Sequence, residues 1–268
     1  MKKRTALITG ASSGIGYELS KCFAAEGYNL ILVARREERL QALKEYINAE
    51  FNVQAEYIVK DLSKPESANE LYTETIELLK KAHIEKIDVL INNAGVGDLT
   101  EFRDSNLEKI ETMINLNILS LTKLSRLFIN DICSSEDGAL INIASTAAFQ
   151  AIPCMAVYAA TKSFVLSFTE AISEEIKSQQ LKTKIICICP GITESEFQVR
   201  ADMESLKIDR KLVASSADVA KYTVKSLKKG KKTTAVHGFM NKIGTLLPRI
   251  LPRSSVSKLS HQIMKKIV

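Results

Sequence analysis

A chain of 268 residues, 46% of them apolar and 25% charged, has material for one large folded domain and is too apolar to be disordered. Its five cysteines are scattered and odd in number and its three histidines lie far apart, so neither a disulfide framework nor a histidine-based metal site or triad is expected. The formal charge of +6 is placed unevenly: residues 219–268 carry 12 Lys or Arg and no Asp or Glu, and the rest of the chain is net acidic.

The N-terminal Met1-Lys2-Lys3-Arg4 leads into Thr5–Thr9, an apolar run stopped at once by Gly10, which reads as a strand and not as a signal peptide. Similar short runs follow at Asn29–Ala34, Val53–Val59, Asp88–Asn92, Ala139–Ala144, Lys184–Cys189 and Thr233–His237. Between them, Gly14–Glu26, Glu37–Glu50, Pro65–Ala82, Leu107–Ile132 and Met155–Ser178 repeat apolar residues every three or four positions and read as helices. This alternation predicts the α/β class: a doubly wound Rossmann-type sheet of about seven mostly parallel strands with helices on both faces. Cys187 and Cys189 stand two apart on one strand and share a face, as core filling. Residues 1–238 are expected to form one domain that holds the cofactor and the catalytic site. Residues 239–268 form a basic amphipathic extension, which Pro248 and Pro252 break into short helical pieces. No stretch approaches the roughly 18 apolar residues of a membrane span, so a soluble, cytoplasmic protein is expected.

Between the first strand and the first helix lies Thr9-Gly10-Ala11-Ser12-Ser13-Gly14-Ile15-Gly16. Glycines suit a sharp turn and a close approach of backbone to ligand, and the unpaired N–H groups of the helix start offer a seat for pyrophosphate. The spacing G-x-x-x-G-x-G differs from the G-x-G-x-x-G fingerprint, so its place between strand and helix carries the argument. Further on, Tyr158 and Lys162 stand four apart on one helix face, downstream of Ser145 at a strand end. An ordinary tyrosine is a poor base at neutral pH, and lowering its pKa by about three units takes roughly 4 kcal/mol. A cation about 4 Å away supplies roughly that much at an effective dielectric near 20, and about 1 kcal/mol in water. Lys162 can therefore tune Tyr158 only where water is largely excluded.

The loop at 9–16 resembles the cofactor loop of the classical short-chain dehydrogenases/reductases. Further marks of that family stand in order: Asp61-Leu62, Asn92-Asn93-Ala94-Gly95, Asn117, Ser145, Tyr158-Ala159-Ala160-Thr161-Lys162 and Pro190-Gly191. The resemblance covers roughly residues 4–237, and the whole pattern with its extension is similar to bacterial members of the DltE-like group. It implies Tyr158 as general acid or base, Ser145 as the hydrogen-bond partner of the substrate oxygen, and Lys162 on the tyrosine and the nicotinamide ribose. Asn117 would support a proton-relaying water, with Asn115 a competing candidate two residues earlier. In the cofactor site the resemblance places Gly10, Ser12, Ser13, Gly14, Ile15 and Gly16 at the phosphates and Asp61 and Leu62 beside the adenine. Asn92, Asn93, Ala94 and Gly95 would line the adenine ribose and stiffen the sheet's centre, and Pro190, Gly191, Ile192 and Thr193 would wrap the carboxamide.

The second strand ends in Arg35-Arg36, where NAD-binding Rossmann proteins carry an acidic residue for the ribose 2′-hydroxyl. A guanidinium there suits a 2′-phosphate, so the expected cofactor is NADP(H) and no metal is called for. Residues 146–149 and the polar stretch Ile192–Met203, a candidate lid, should border a carbonyl or secondary-alcohol substrate. The basic tail is open to several readings: packing across the pocket mouth, contact with a second subunit, or weak peripheral membrane contact. Nucleic acid is not expected, because no aromatic residue follows Phe239 to stack on bases. The family's habits suggest a homodimer or homotetramer. The rival functions are a catalytically silent nucleotide-binding regulator and a peripheral membrane protein acting through the tail.

Overall fold

Strand β1 (Thr5–Thr9) and strand β2 (Asn29–Ala34) have almost every side chain buried, which is what a strand covered on both faces requires. The computed structural model describes residues 3–201, 213–230 and 232–267. In it β1, β2, β3 (Ala55–Val59), β4 (Val89–Asn92), β5 (Ala139–Ile143), β6 (Lys184–Cys189) and β9 (Thr234–Val236) form one parallel sheet in the order β3-β2-β1-β4-β5-β6-β9. The expected fold class is the observed one. Chain direction across the sheet reverses between β1 and β4, and the crevice past the carboxyl ends of those two strands is where such sheets bind ligands.

Alternate residues of each strand feed two cores. Ala6, Ile8, Leu30 and Leu32 pack with Leu19 and Phe23 of helix α1 (Gly14–Ala25), Leu40 and Leu43 of α2 (Glu37–Glu50) and Val224 of α8 (Ser216–Lys229). Leu7, Ile31 and Leu90 pack with Leu71 of α3 (Ser67–Lys81), Phe128 of α5 (Leu121–Cys133) and Ile176 of α6 (Ala156–Ser178). Cys187 and Cys189 are fully buried with their sulfurs 3.8 Å apart, in a smaller cluster with Leu121, Val165 and Leu166.

Two expectations need correcting. The single helix expected over Leu107–Ile132 is α4 (Leu107–Ile114), a π-helical stretch at Asn115–Ser120 and then α5. The wider stretch turns Asn117 inward, where it is fully buried, and a π-bulge of this kind is common at functional sites. Pro248 does not break the tail: it lies inside α9 (Phe239–Ile250), where the carbonyl it cannot bond belongs to Gly244, which is open to solvent. The chain breaks only at Pro252, before α10 (Arg253–Ile267). The candidate lid carries short elements: β7 (Thr193–Glu194) pairs with β8 (Ala214–Ser215), and α7 (Glu196–Arg200) lies between them in sequence. Met203, at the end of that candidate lid, lies outside the described residues.

Candidate active site

The loop after β1 is knitted to the loop after β4. The backbone N–H groups of Asn93 and Ala94 both donate to Thr9 Oγ1 at 3.0 Å, and Asn93 Nδ2 donates to the Thr9 carbonyl at 2.9 Å. Gly16, on the first turn of α1, lies so close that a Cβ there would overlap the Gly10 carbonyl oxygen. The N-cap of α1, Ser13, makes no side-chain capping bond to the first-turn N–H groups, and Ser13, Gly14 and Ile15 line the crevice. This cradle and the helix start fit a pyrophosphate.

At the far end of the same crevice, the Tyr158 hydroxyl stands beside that of Ser145, whose Oγ accepts from the Ala147 N–H at 3.1 Å. Lys162 Nζ donates to the Ile143 carbonyl at 2.9 Å and lies 5.8 Å from the centre of the Tyr158 ring. Burial pushes the Tyr158 hydroxyl up to about 12 against the opposing bond from Ser145. Burial also lowers the Lys162 ammonium to about 8, offset in part by Cys187 and Cys189 behind it. Burial of the phenol is the largest influence the protein's own groups exert on Tyr158, and it opposes the lowering expected from Lys162. At pH 7 both groups keep their protons.

A cavity of about 370 Å³ joins the two ends. A match to the short chain dehydrogenase family model spans residues 4–205. The chain belongs to the short-chain dehydrogenase/reductase family. It is 27% identical over 252 residues to the very-long-chain 3-oxoacyl-CoA reductase of Rattus norvegicus, covering 91% of this chain and 75% of that one. A short-chain dehydrogenase of Sphingobium yanoikuyae in complex with NADPH superimposes with a TM-score of 0.77 at 29% identity, covering 94% of this chain and 97% of the other. A member from Burkholderia phymatum in complex with NAD shares the fold, with a TM-score of 0.78 at 20% identity and 92% of each chain covered. This short-chain dehydrogenase/reductase is therefore an oxidoreductase of the CH–OH/carbonyl couple that uses a nicotinamide cofactor.

Most of the residues singled out from the dehydrogenase's sequence line that cavity: Gly10 and Ser12 to Ile15, Arg35, Arg36, Asp61, Leu62, Asn93 to Gly95, Ser145, Tyr158, Lys162 and Pro190 to Thr193. Gly16, Asn92 and Asn117 stand behind its wall. Asn92 is buried, donating to Asn142 Oδ1 at 2.9 Å and Ser125 Oγ at 3.0 Å, so it ties β4 to β5 and α5 at the centre of the sheet. Asn117 Nδ2 donates to the Val96 carbonyl at 2.9 Å and to Thr161 Oγ1 at 3.0 Å, while its Oδ1 accepts from the Val96 N–H at 3.0 Å. It thus holds the β4 loop against α6 beside Lys162. Phe197 of α7, in the stretch expected to border the substrate, packs against the Tyr158 ring at 5.4 Å. Among the cavity residues that were not foreseen are Met155, which precedes α6, and Met264 of α10.

Arg36 is already engaged. It donates to Ser12 Oγ at 3.1 Å and to Glu196 Oε2 at 2.8 Å, and Arg39 pairs with the same carboxylate. The hydrogen bond from Arg39, with that from Arg36, holds the Glu196 carboxyl down at about 2. Arg35 is exposed at the cavity rim.

Proposed function

We propose that the chain is an NADP(H)-dependent carbonyl reductase, or alcohol dehydrogenase in the reverse direction, with Tyr158 as its proton donor. The observation that carries this is the convergence of Ser145, Tyr158 and Lys162 on one cavity whose other end is the Gly10–Gly16 cradle and Arg36. Bound in that cavity, NADPH supplies the hydride. Ser145 orients the substrate carbonyl oxygen toward Tyr158. The Tyr158 hydroxyl gives its proton to that oxygen as the carbonyl carbon is reduced. The Lys162 ammonium stabilises the phenolate left behind, and a proton returns past Asn117 from solvent. Arg35 and Arg36 would take the 2′-phosphate, and the NADPH held by the Sphingobium relative supports that choice. A cytoplasmic homodimer or homotetramer acting on a small carbonyl or alcohol completes the reading.

The pH dependence follows from the two shifts. Reduction needs Tyr158 protonated and Lys162 charged; the Tyr158 value of about 12 leaves the first condition met, so Lys162 sets the limit. The expected result, from NADPH consumption on a panel of aldehydes and ketones, is a rate that is flat around neutrality. It then falls as pH rises through about 8. No turnover on any panel member, with tight NADPH binding retained, would favour the silent nucleotide-binding regulator.

Glu196 is a second lever. Its carboxylate sits on the guanidinium proposed for the 2′-phosphate, so the two anions compete for Arg36. Glu196→Gln is expected to tighten NADPH by about two- to fivefold, the range of a partly exposed ion pair, and to leave NADH unchanged. Calorimetric titration of both nucleotides checks this.

A further inference from the structure

Helix α9 is inverted. Its inward face carries Thr245, which is buried, and Asn241, which donates to the His237 carbonyl at 2.8 Å and presses on the backbone of Gly191. Its outward face carries Phe239, Met240, Ile243, Leu246, Leu247 and Ile250, with Phe239 75% and Ile250 81% exposed. Positions i, i+1, i+4, i+7, i+8 and i+11 fall on one side of a helix, so this is a continuous apolar stripe. Leu259 and Ile263 of α10 add a second exposed apolar pair. Half of the exposed large apolar side chains among the described residues lie in these two helices, and Leu251 between them adds another. Single exposed apolar residues are ordinary, whereas a clustered face of this size marks a contact surface.

Lys242, Arg249, Arg253 and Lys258 are exposed around this face, and no carboxylate occurs between Val219 and Val268. We infer that α9 and α10 dock on an anionic lipid surface, the apolar stripe entering the interface and the cations meeting the headgroups. A second copy of the chain is the poorer occupant. A two-fold contact through this face brings two copies of the same basic segment together, with no acidic residue between Val219 and Val268 to answer Lys242, Arg249 and Arg253. The contact is peripheral, because among the described residues no helix is long and apolar enough to cross a membrane. The same helices reach the cavity: Met264 lines it, Asn241 rests on Gly191, and the Arg249 guanidinium lies 5.7 Å from the Phe149 ring. Docking therefore sets the cavity beside the lipid. The inference stands on the exposed face and its charge and does not depend on the redox reading.

Co-sedimentation of the full chain with phosphatidylglycerol/phosphatidylcholine vesicles, and with phosphatidylcholine vesicles alone, tests this. The expected result is capture by the anionic vesicles only, weakened by high salt. Phe239→Ser with Ile250→Ser should lower capture at least tenfold, and Lys242→Glu with Arg253→Glu should abolish the preference for anionic lipid. Circular dichroism melting of both variants shows that they fold. Equal sedimentation with and without vesicles overturns the inference. So does a wild type that ignores vesicles but is a dimer by light scattering, with the Phe239/Ile250 variant a monomer; the face would then belong to a second copy.

Discussion

Replacing Tyr158 by Phe lowers kcat for carbonyl reduction by about 10²–10⁴-fold, the usual contribution of a positioned general acid, and leaves nucleotide affinity essentially unchanged. The ring stays buried against Phe197, so the substitution removes one oxygen and no packing. It also removes the hydroxyl that stands beside Ser145. Ser145 Oγ keeps its bond from the Ala147 N–H, so the serine is not left wholly unpaired and the fold should tolerate the change. Steady-state kinetics beside a nucleotide titration separate the two effects. A variant that retains turnover within a few fold of wild type would show that the proton comes from another group.

Gly16→Ala acts at the opposite end of the cavity and through sterics alone. The added methyl would overlap the Gly10 carbonyl and crowd Asn93 Nδ2, the amide that ties the β4 loop to Thr9. Backbone must move, because the nearest neighbour is the Gly10 carbonyl and the Asn93 amide is held by its bond to Thr9. The expected cost is about 1–3 kcal/mol of stability, as for other overpacked sites, together with a large loss of nucleotide affinity because the cradle opens. Thermal melting with and without nucleotide measures both. The wild type should gain melting temperature on adding nucleotide, and the variant should gain little.

The sheet was legible because its strands are short apolar runs that helical periodicity cannot mimic, and because glycines and polar clusters punctuate them. The four side chains proposed for catalysis were legible for a different reason: their spacing fixes Tyr158 and Lys162 on one helix face, and the family resemblance supplied the remainder. What stayed hidden depends on distant pairings. The apolar period of Leu107–Ile132 runs on through the π-helical stretch, so nothing local announces that Asn117 turns inward. Glu196 meets Arg36 across 160 residues, and Met264 reaches the cavity from the far end of the chain. The basic composition of the tail was visible in the residues, but which face of α9 points outward was not. That follows from Asn241 packing on Gly191, a contact no spacing rule contains.

The most direct test of the central claim is fluorescence titration of the purified protein with NADPH and with NADH, repeated on an Arg35→Ala, Arg36→Ala double variant. Tight NADPH binding is predicted, weakening roughly ten- to hundredfold in the variant, as expected for lost charge-assisted hydrogen bonds. NADH affinity should stay where it was. Equal affinity for the two nucleotides, unaltered in the variant, would contradict the NADP(H) assignment. Failure to bind either would contradict the reading of this cavity as a nicotinamide site.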